Sequence, residues 1–205
     1  MLHADVGSEL TVLHFHGNGD DLRSCQPLVA SVAGQGVSMA VVEYPGYGVL
    51  SGQQTTAPGL LAAARAAAAR IPGRVVLSGF SLGTAVATVL AADGVGERLV
   101  LTAPFTSSRE LVRDKWLQAF WPVFRDRFDS ASLAPSISIP ALVQQGDRDR
   151  VLPFSHGQRL AGLLQDAVFR PLPGRGHGDL DPLIADAVVR AATVPDESWR
   201  EIPAP

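Results

Sequence analysis

A single cysteine, Cys25, stands in a chain of 205 residues. One thiol excludes an internal disulfide and any thiolate-rich zinc site. Its setting, "DLRSCQPLV", reads as helix, which makes Cys25 a buried structural thiol. Charge is scarce as well: Asp, Glu, Lys and Arg make up 18% of residues, and the formal net charge is −3. Without a basic run or basic residues interleaved with aromatics, nothing is present to hold a phosphate backbone, so nucleic acid is not expected as a partner. Long apolar runs are missing too, since charge, glycine or proline interrupts each one, and the opening "MLHADVGSEL" lacks a basic flank leading into an apolar core. These absences predict a cytoplasmic protein with no stable membrane anchor. The histidines lack zinc spacing, and no metal or organic cofactor is implied.

What is present is a hydrophobic fraction of 46%. A chain of this length and composition predicts one well-buried domain over residues 1–205. Short β-branched runs alternate with longer helical patterns, the signature of a parallel sheet covered by helices on both faces. Six strands are predicted, all parallel: "LTVLHF" (10–15), "SMAVVEY" (38–44), "RVVLSGF" (74–80), "RLVLTA" (98–103), "ALVQQG" (141–146) and "AVFRPLP" (167–173). Their continuous apolar character fits strands buried on both faces. Helices are predicted near 21–33, 58–70, 82–92, 107–121, 155–164 and 179–192. In such sheets ligands bind outside the carboxyl ends of the strands, and the polar, glycine-rich clusters "HGNGDD", "EYPGYG", "GFSLG", "GDRDRVLP" and "GRGHGD" fall there.

"GFSLG" is weak by itself, but here it sits between a predicted strand and a predicted helix, the setting of a nucleophile elbow. Gly79 and Gly83 would permit a tight turn that projects the Ser81 hydroxyl above the sheet. A serine hydroxyl becomes a nucleophile only when a base takes its proton, so a histidine oriented by a carboxylate is required. His177, in a glycine-flanked loop after the last strand, fits best: His3 lies at an unanchored terminus, His14 within a strand and His156 at the start of a helix. "QQGDRDRVLP" supplies two candidate carboxylates, Asp147 and Asp149. Oxyanion donors would be the backbone N–H of Leu82 and, from the loop after the first predicted strand, that of Asn18.

Together "HFHGNGDD", "EYPGYGVLSG", "GFSLG", "APFTSSREL" and "GDRDRVLP" resemble the α/β-hydrolase superfamily over nearly the whole chain, in the branch of serine-aminopeptidase-like hydrolases and small acyl-protein-thioesterase-like esterases. The resemblance implies a triad of Ser81, Asp149 and His177 with Asn18 and Leu82 in the oxyanion hole. The family loop Asp-Tyr-Arg-Gly-Tyr-Gly has Glu43 and Pro45 in place of its acid and arginine here. The antiparallel hairpin that usually opens the fold would be trimmed to "MLHADVGSE", part of which could pair as a short strand. Membrane-anchored relatives carry an apolar or acylated leader, and with none before "MLHADVGSEL" a membrane-bound depalmitoylase is not expected.

A small helical cap is expected over about 105–135, where Val112, Trp116 and Phe120 recur at helical spacing. Trp116 and Phe120, with Tyr47, are candidates for the wall of an apolar pocket, although the stripe could equally be plain core. The function expected is hydrolysis of carboxylic esters of short to medium acyl chains on small-molecule acyl substrates. A thioesterase or aminopeptidase-like activity would use the same triad, and a non-catalytic, ligand-binding member of the fold is the remaining alternative.

Overall fold

The computed structural model describes residues 1–115 and 128–195. Seven strands form one sheet: β1 (Leu2–Ala4), β2 (Leu10–Phe15), β3 (Ser38–Val41), β4 (Arg74–Phe80), β5 (Arg98–Thr102), β6 (Ala141–Gly146) and β7 (Ala167–Leu172). Their order across the sheet is β1-β3-β2-β4-β5-β6-β7. Every pairing from β3 to β7 is parallel. Strands β2, β5 and β6 are buried along their whole length, the packing that continuous apolar runs predict for strands covered on both faces.

One strand exceeds the six expected, and it is not parallel. Leu2 pairs antiparallel opposite Val41 and Ala4 opposite Met39, so His3 lies in an edge strand and not at a loose terminus. Polar contacts hold this edge. Ser38 Oγ accepts from the Val6 N–H at 3.1 Å and donates to Asp5 Oδ1 at 3.2 Å, and the Ser38 N–H donates to Ser8 Oγ at 2.7 Å. An apolar-pattern reading gives such a strand little weight.

The helices are α1 (Gln26–Gly34), α2 (Ala57–Ala68), α3 (Leu82–Ala92), α4 (Ser108–Lys115), α5 (Ser130–Leu133), α6 (Phe154–Leu163) and α7 (Asp181–Thr193). The first begins five residues later than predicted. Asp21 Oδ1 accepts from the Ser24 N–H at 2.8 Å, closing a turn, and Pro27 then opens the helix. Helices α1 and α7 pack together, and α3 packs on α2 and α5, which sandwiches the sheet. Chain direction across the sheet reverses between β2 and β4, placing the topological switch point at the carboxyl ends of those two strands.

The far side of the sheet carries a buried polar chain. Gln144 donates to Thr102 Oγ1 at 2.8 Å, and the Arg170 guanidinium, 2% exposed, donates twice to Asp186 Oδ2 at 3.1 and 3.2 Å. Burial acts to raise the Asp186 carboxyl, but hydrogen bonds from Arg190 and Arg170 outweigh it and hold the group below its ordinary value. A depressed folded-state value makes this contribution complete above the ordinary carboxylate range near pH 4, and it fades as pH falls through the folded-state value. Asp186→Ala strands a buried guanidinium, so chemical denaturation at pH 7 should show a loss of about 3 kcal/mol. The gap between variant and native protein should narrow as the measurement moves below pH 4.

Candidate active site

Ser81 follows β4 directly and immediately precedes α3, with φ 52° and ψ −116°. Among the described residues only Ser81 and Ala103 combine positive φ with a side chain. The conformation costs on the order of 1–3 kcal/mol and persists because the surroundings impose it. The Ser81 N–H donates to the Thr102 carbonyl at 3.0 Å, and the Ser81 carbonyl accepts from the Thr84 hydroxyl at 2.6 Å and the Thr84 N–H at 3.0 Å. No room exists for larger residues at the flanking glycines. A Cβ on Gly79 would lie 2.4 Å from the Gly83 carbonyl oxygen, and one on Gly83 would lie 1.9 Å from the Phe15 carbonyl oxygen.

Two loops beyond β6 and β7 carry the candidate acid and base. His177 Nδ1 lies 2.7 Å from Asp149 Oδ2. A carboxylate only accepts, so the Nδ1 proton is fixed there and Nε2 is left to exchange a proton elsewhere. Asp149 is held at every acceptor: Oδ1 takes the N–H groups of Val151 and Leu152, each at 2.8 Å, and Oδ2 also takes the Gln145 amide at 3.0 Å. Asp147, the other aspartate of the loop, instead accepts the Gly174 N–H at 2.7 Å. It ties the acid loop to the base loop. The ring of Phe80, the neighbour of Ser81 in the chain, stacks on His177 with centroids 5.0 Å apart and planes at 29°, which sets the imidazole beside the elbow.

The loop after β2 reaches the same end of the sheet. The Gly17 N–H donates to Asp20 Oδ2 at 3.1 Å, and the Gly17 carbonyl accepts from His16 Nδ1 at 2.9 Å and from the Asp20 N–H at 3.3 Å. Asn18 is exposed, and its side-chain oxygen accepts from the Tyr47 hydroxyl at 2.6 Å. Burial pushes the Tyr47 phenol up, so it remains a donor at neutral pH. Leu82 is the first residue of α3, so its N–H has no partner within the helix and points out of the helix N-terminus.

The structure thus brings His177 and Asp149 into contact, sets Ser81 in a strained strand-to-helix turn and carries Asn18 and Leu82 to the same sheet edge. Tyr47 meets Asn18 and packs edge-on to His16 at 5.5 Å. Trp116 and Phe120 lie outside the described residues, while Val112 is buried in the core. Four residues of the site escaped sequence reasoning: Phe80, Gln145 and the buried pair of His16 and Glu43. The paired glutamines of β6 and a glutamate two residues past β3 were the available signals. Phe80 also lines a cleft of about 380 Å³ with His14, Asp20, Pro27, Leu28 and Ile184. Burial pushes His14 down to about 3, with a further push from the neighbouring His16, so its imidazole is neutral and engages Ser78 Oγ at 2.9 Å.

The sheet order, the strand-to-helix serine and the loops at the switch point define an α/β-hydrolase fold. No family model matches the chain. The chain is 34% identical over 208 residues to the uncharacterized protein Rv2307c of Mycobacterium tuberculosis, covering 93% of this chain and 72% of that protein. It is 30% identical over 195 residues to alpha/beta hydrolase domain-containing protein 17C of Xenopus tropicalis, covering 88% and 60% respectively. The lipolytic enzymes LipS and LipT, derived from a metagenome, are represented by a solved structure that matches with a TM-score of 0.74 at 18% identity, over 93% of this chain and 96% of that one. The chain belongs to the α/β-hydrolase superfamily. No helix among the described residues is long and apolar enough to cross a membrane.

The approach of α3 to β2 gives a direct test of the site's construction. Gly83→Ala forces a methyl into the Phe15 carbonyl, so a thermal melt should show a loss of about 3 kcal/mol. In whatever fraction folds, labelling by a fluorophosphonate should slow as the turn at Ser81 is displaced.

Proposed function

We propose that the protein is a serine hydrolase that cleaves carboxylic esters of short to medium acyl chains through an acyl-enzyme on Ser81. The observation that carries this reading is the strained Ser81 turn directly after Phe80, whose ring stacks on a histidine with its Nδ1 held 2.7 Å from a buried carboxylate. In the reaction His177 Nε2 takes the Ser81 proton as the hydroxyl oxygen attacks the ester carbonyl. The N–H groups of Leu82 and Asn18 stabilise the oxyanion that develops. His177 then returns the proton to the departing alkoxide, releasing the alcohol, takes a proton from the water that attacks the acyl group, and passes it to Ser81 Oγ as the carboxylic acid leaves. Asp149, with its acceptors filled by Gln145, Val151 and Leu152, keeps the imidazole in the tautomer this cycle needs and stabilises the imidazolium.

Support for an ester comes from the lipolytic activity attributed to LipS and LipT, whose fold this chain shares. Thioesters and peptides are open to the same machinery, and rates across p-nitrophenyl esters, acyl thioesters and aminoacyl anilides decide between them. Fastest cleavage of p-nitrophenyl esters is expected, and fastest cleavage of the anilide would overturn the ester assignment. Ser81→Ala should abolish both ester turnover and fluorophosphonate labelling, and persistence of both would refute the role of Ser81. Asp149→Asn should lower kcat by about 10⁴-fold, because the wrong imidazole tautomer is then favoured.

A further inference from the structure

The peptide joining Gly17 to Asn18 is trans, and in a planar trans peptide the carbonyl and the following N–H point in opposite directions. Whatever fixes the Gly17 carbonyl therefore fixes where the Asn18 N–H points. His16 Nδ1 donates to that carbonyl at 2.9 Å. The other ring nitrogen, Nε2, faces Glu43 Oε1 at 3.5 Å, with the two side chains 1% and 4% exposed. Neither of these two buried atoms has a hydrogen-bond partner among the described residues. Buried polar atoms without partners carry a cost, and a bare Nε2 facing a carboxylate oxygen would set two lone pairs against each other. The pair is relieved when one proton lies between Nε2 and Oε1, on either atom, and that arrangement leaves Nδ1 protonated for Gly17.

The remaining contacts limit how the ring can move. Tyr44 lies against the His16 ring with centroids 4.2 Å apart and donates its hydroxyl to the His16 carbonyl at 3.3 Å. Glu43 Oε2 accepts the Leu22 N–H at 3.4 Å, which ties the carboxylate to the segment leading into α1. Without Glu43 the Gly17 carbonyl would still favour a proton on Nδ1, but Nε2 would be left buried with nothing facing it. A buried nitrogen without a partner favours a ring that turns to find one, and the Gly17 peptide would turn with it.

We propose that Glu43 is a positioning residue: acting through His16, it sets the direction of the Asn18 N–H toward the developing oxyanion. This rests on the assignment of Ser81 as an acylating nucleophile. The test compares Glu43→Leu, which keeps much of the side-chain volume without a polar atom, with Glu43→Gln, whose amide N–H can donate to Nε2. For p-nitrophenyl esters Glu43→Leu should lower kcat about 10- to 100-fold with KM changed by less than about threefold, because the oxyanion is absent from the ground state. Inhibition by an alkyl boronic acid, whose tetrahedral adduct loads the same donors, should weaken by a similar factor. Glu43→Gln should restore kcat to within about threefold of the native protein. A purely structural role would lower the fraction of sites titrated by fluorophosphonate while leaving kcat per site intact, and that result overturns the proposal. So does a folded Glu43→Leu protein with native kcat. Should Glu43→Leu fail to fold, the double variant His16→Leu/Glu43→Leu leaves neither partner of the pair buried alone, and native kcat in that variant also overturns the proposal. If the native protein neither hydrolyses esters nor takes the fluorophosphonate, the assignment of Ser81 fails first, an outcome distinct from failure of the Glu43 variants alone.

Discussion

The first turn of α3 lies so close to the end of β2 that residue 83 has no space for a side chain: a Cβ there would fall 1.9 Å from the Phe15 carbonyl oxygen. Two otherwise separate pieces of chain are thereby forced together: the turn that bears Ser81 and the loop that begins at His16. The approach also explains the backbone at Ser81. A strand that must feed a helix seated directly on the neighbouring strand has no length in which to bend gradually, so the bend is concentrated in one residue at positive φ. Bonds to Thr102 and Thr84 then hold it. Local strain of about 1–3 kcal/mol is offset by the burial of α3, where eight of its residues, from Gly83 to Ala91, are enclosed.

A second close approach does for Asp149 and His177 what the first does for Ser81. A Cβ on Gly146 would lie 2.3 Å from the Arg175 carbonyl oxygen, so the end of β6 runs against the loop bearing His177. The Arg148 N–H donates to the same carbonyl at 3.0 Å, and Asp147 reaches Gly174. With these bonds in place, the short distance between Asp149 and His177 follows from the backbone and does not rest on one side-chain contact. Asp147 and Asp149 are two residues apart in one loop but serve different ends: one fastens the two loops, and the other uses that fastening to orient an imidazole.

The parallel sheet was legible because its evidence is repeated in every strand: six continuous apolar runs separated by helical patterns leave few arrangements open. The edge strand Leu2–Ala4 was not, because Ser38, Asp5 and Ser8 hold it by polar contacts that leave no periodic trace. Ser81, His177 and Asp149 could be nominated from loop position and chain order, and the geometry joins the last two directly. Phe80 and Gln145 could not, since both sit at strand positions where an apolar or amide residue reads as core. Choosing between Asp147 and Asp149 depends on which loop amides each carboxylate meets, and a linear sequence holds that information only through resemblance.

The two oxyanion donors of the proposed reaction differ in what holds them. The Leu82 N–H is oriented by the helix that begins there, so any change that leaves α3 seated leaves that donor aimed. The Asn18 N–H belongs to a loop with no regular hydrogen-bonding pattern, and its direction is set from outside by His16 and Asp20 on the adjoining peptide groups and by Tyr47 on its side chain. That asymmetry accounts for the polar and aromatic residues crowded under the loop: His16, Tyr44 and Tyr47 pack against one another, with Glu43 buried beside them. A rigid donor needs only a packed helix. A donor on a loop needs a dedicated set of side chains, and burial of His16 and Glu43 in the core is the energetic cost of holding it still.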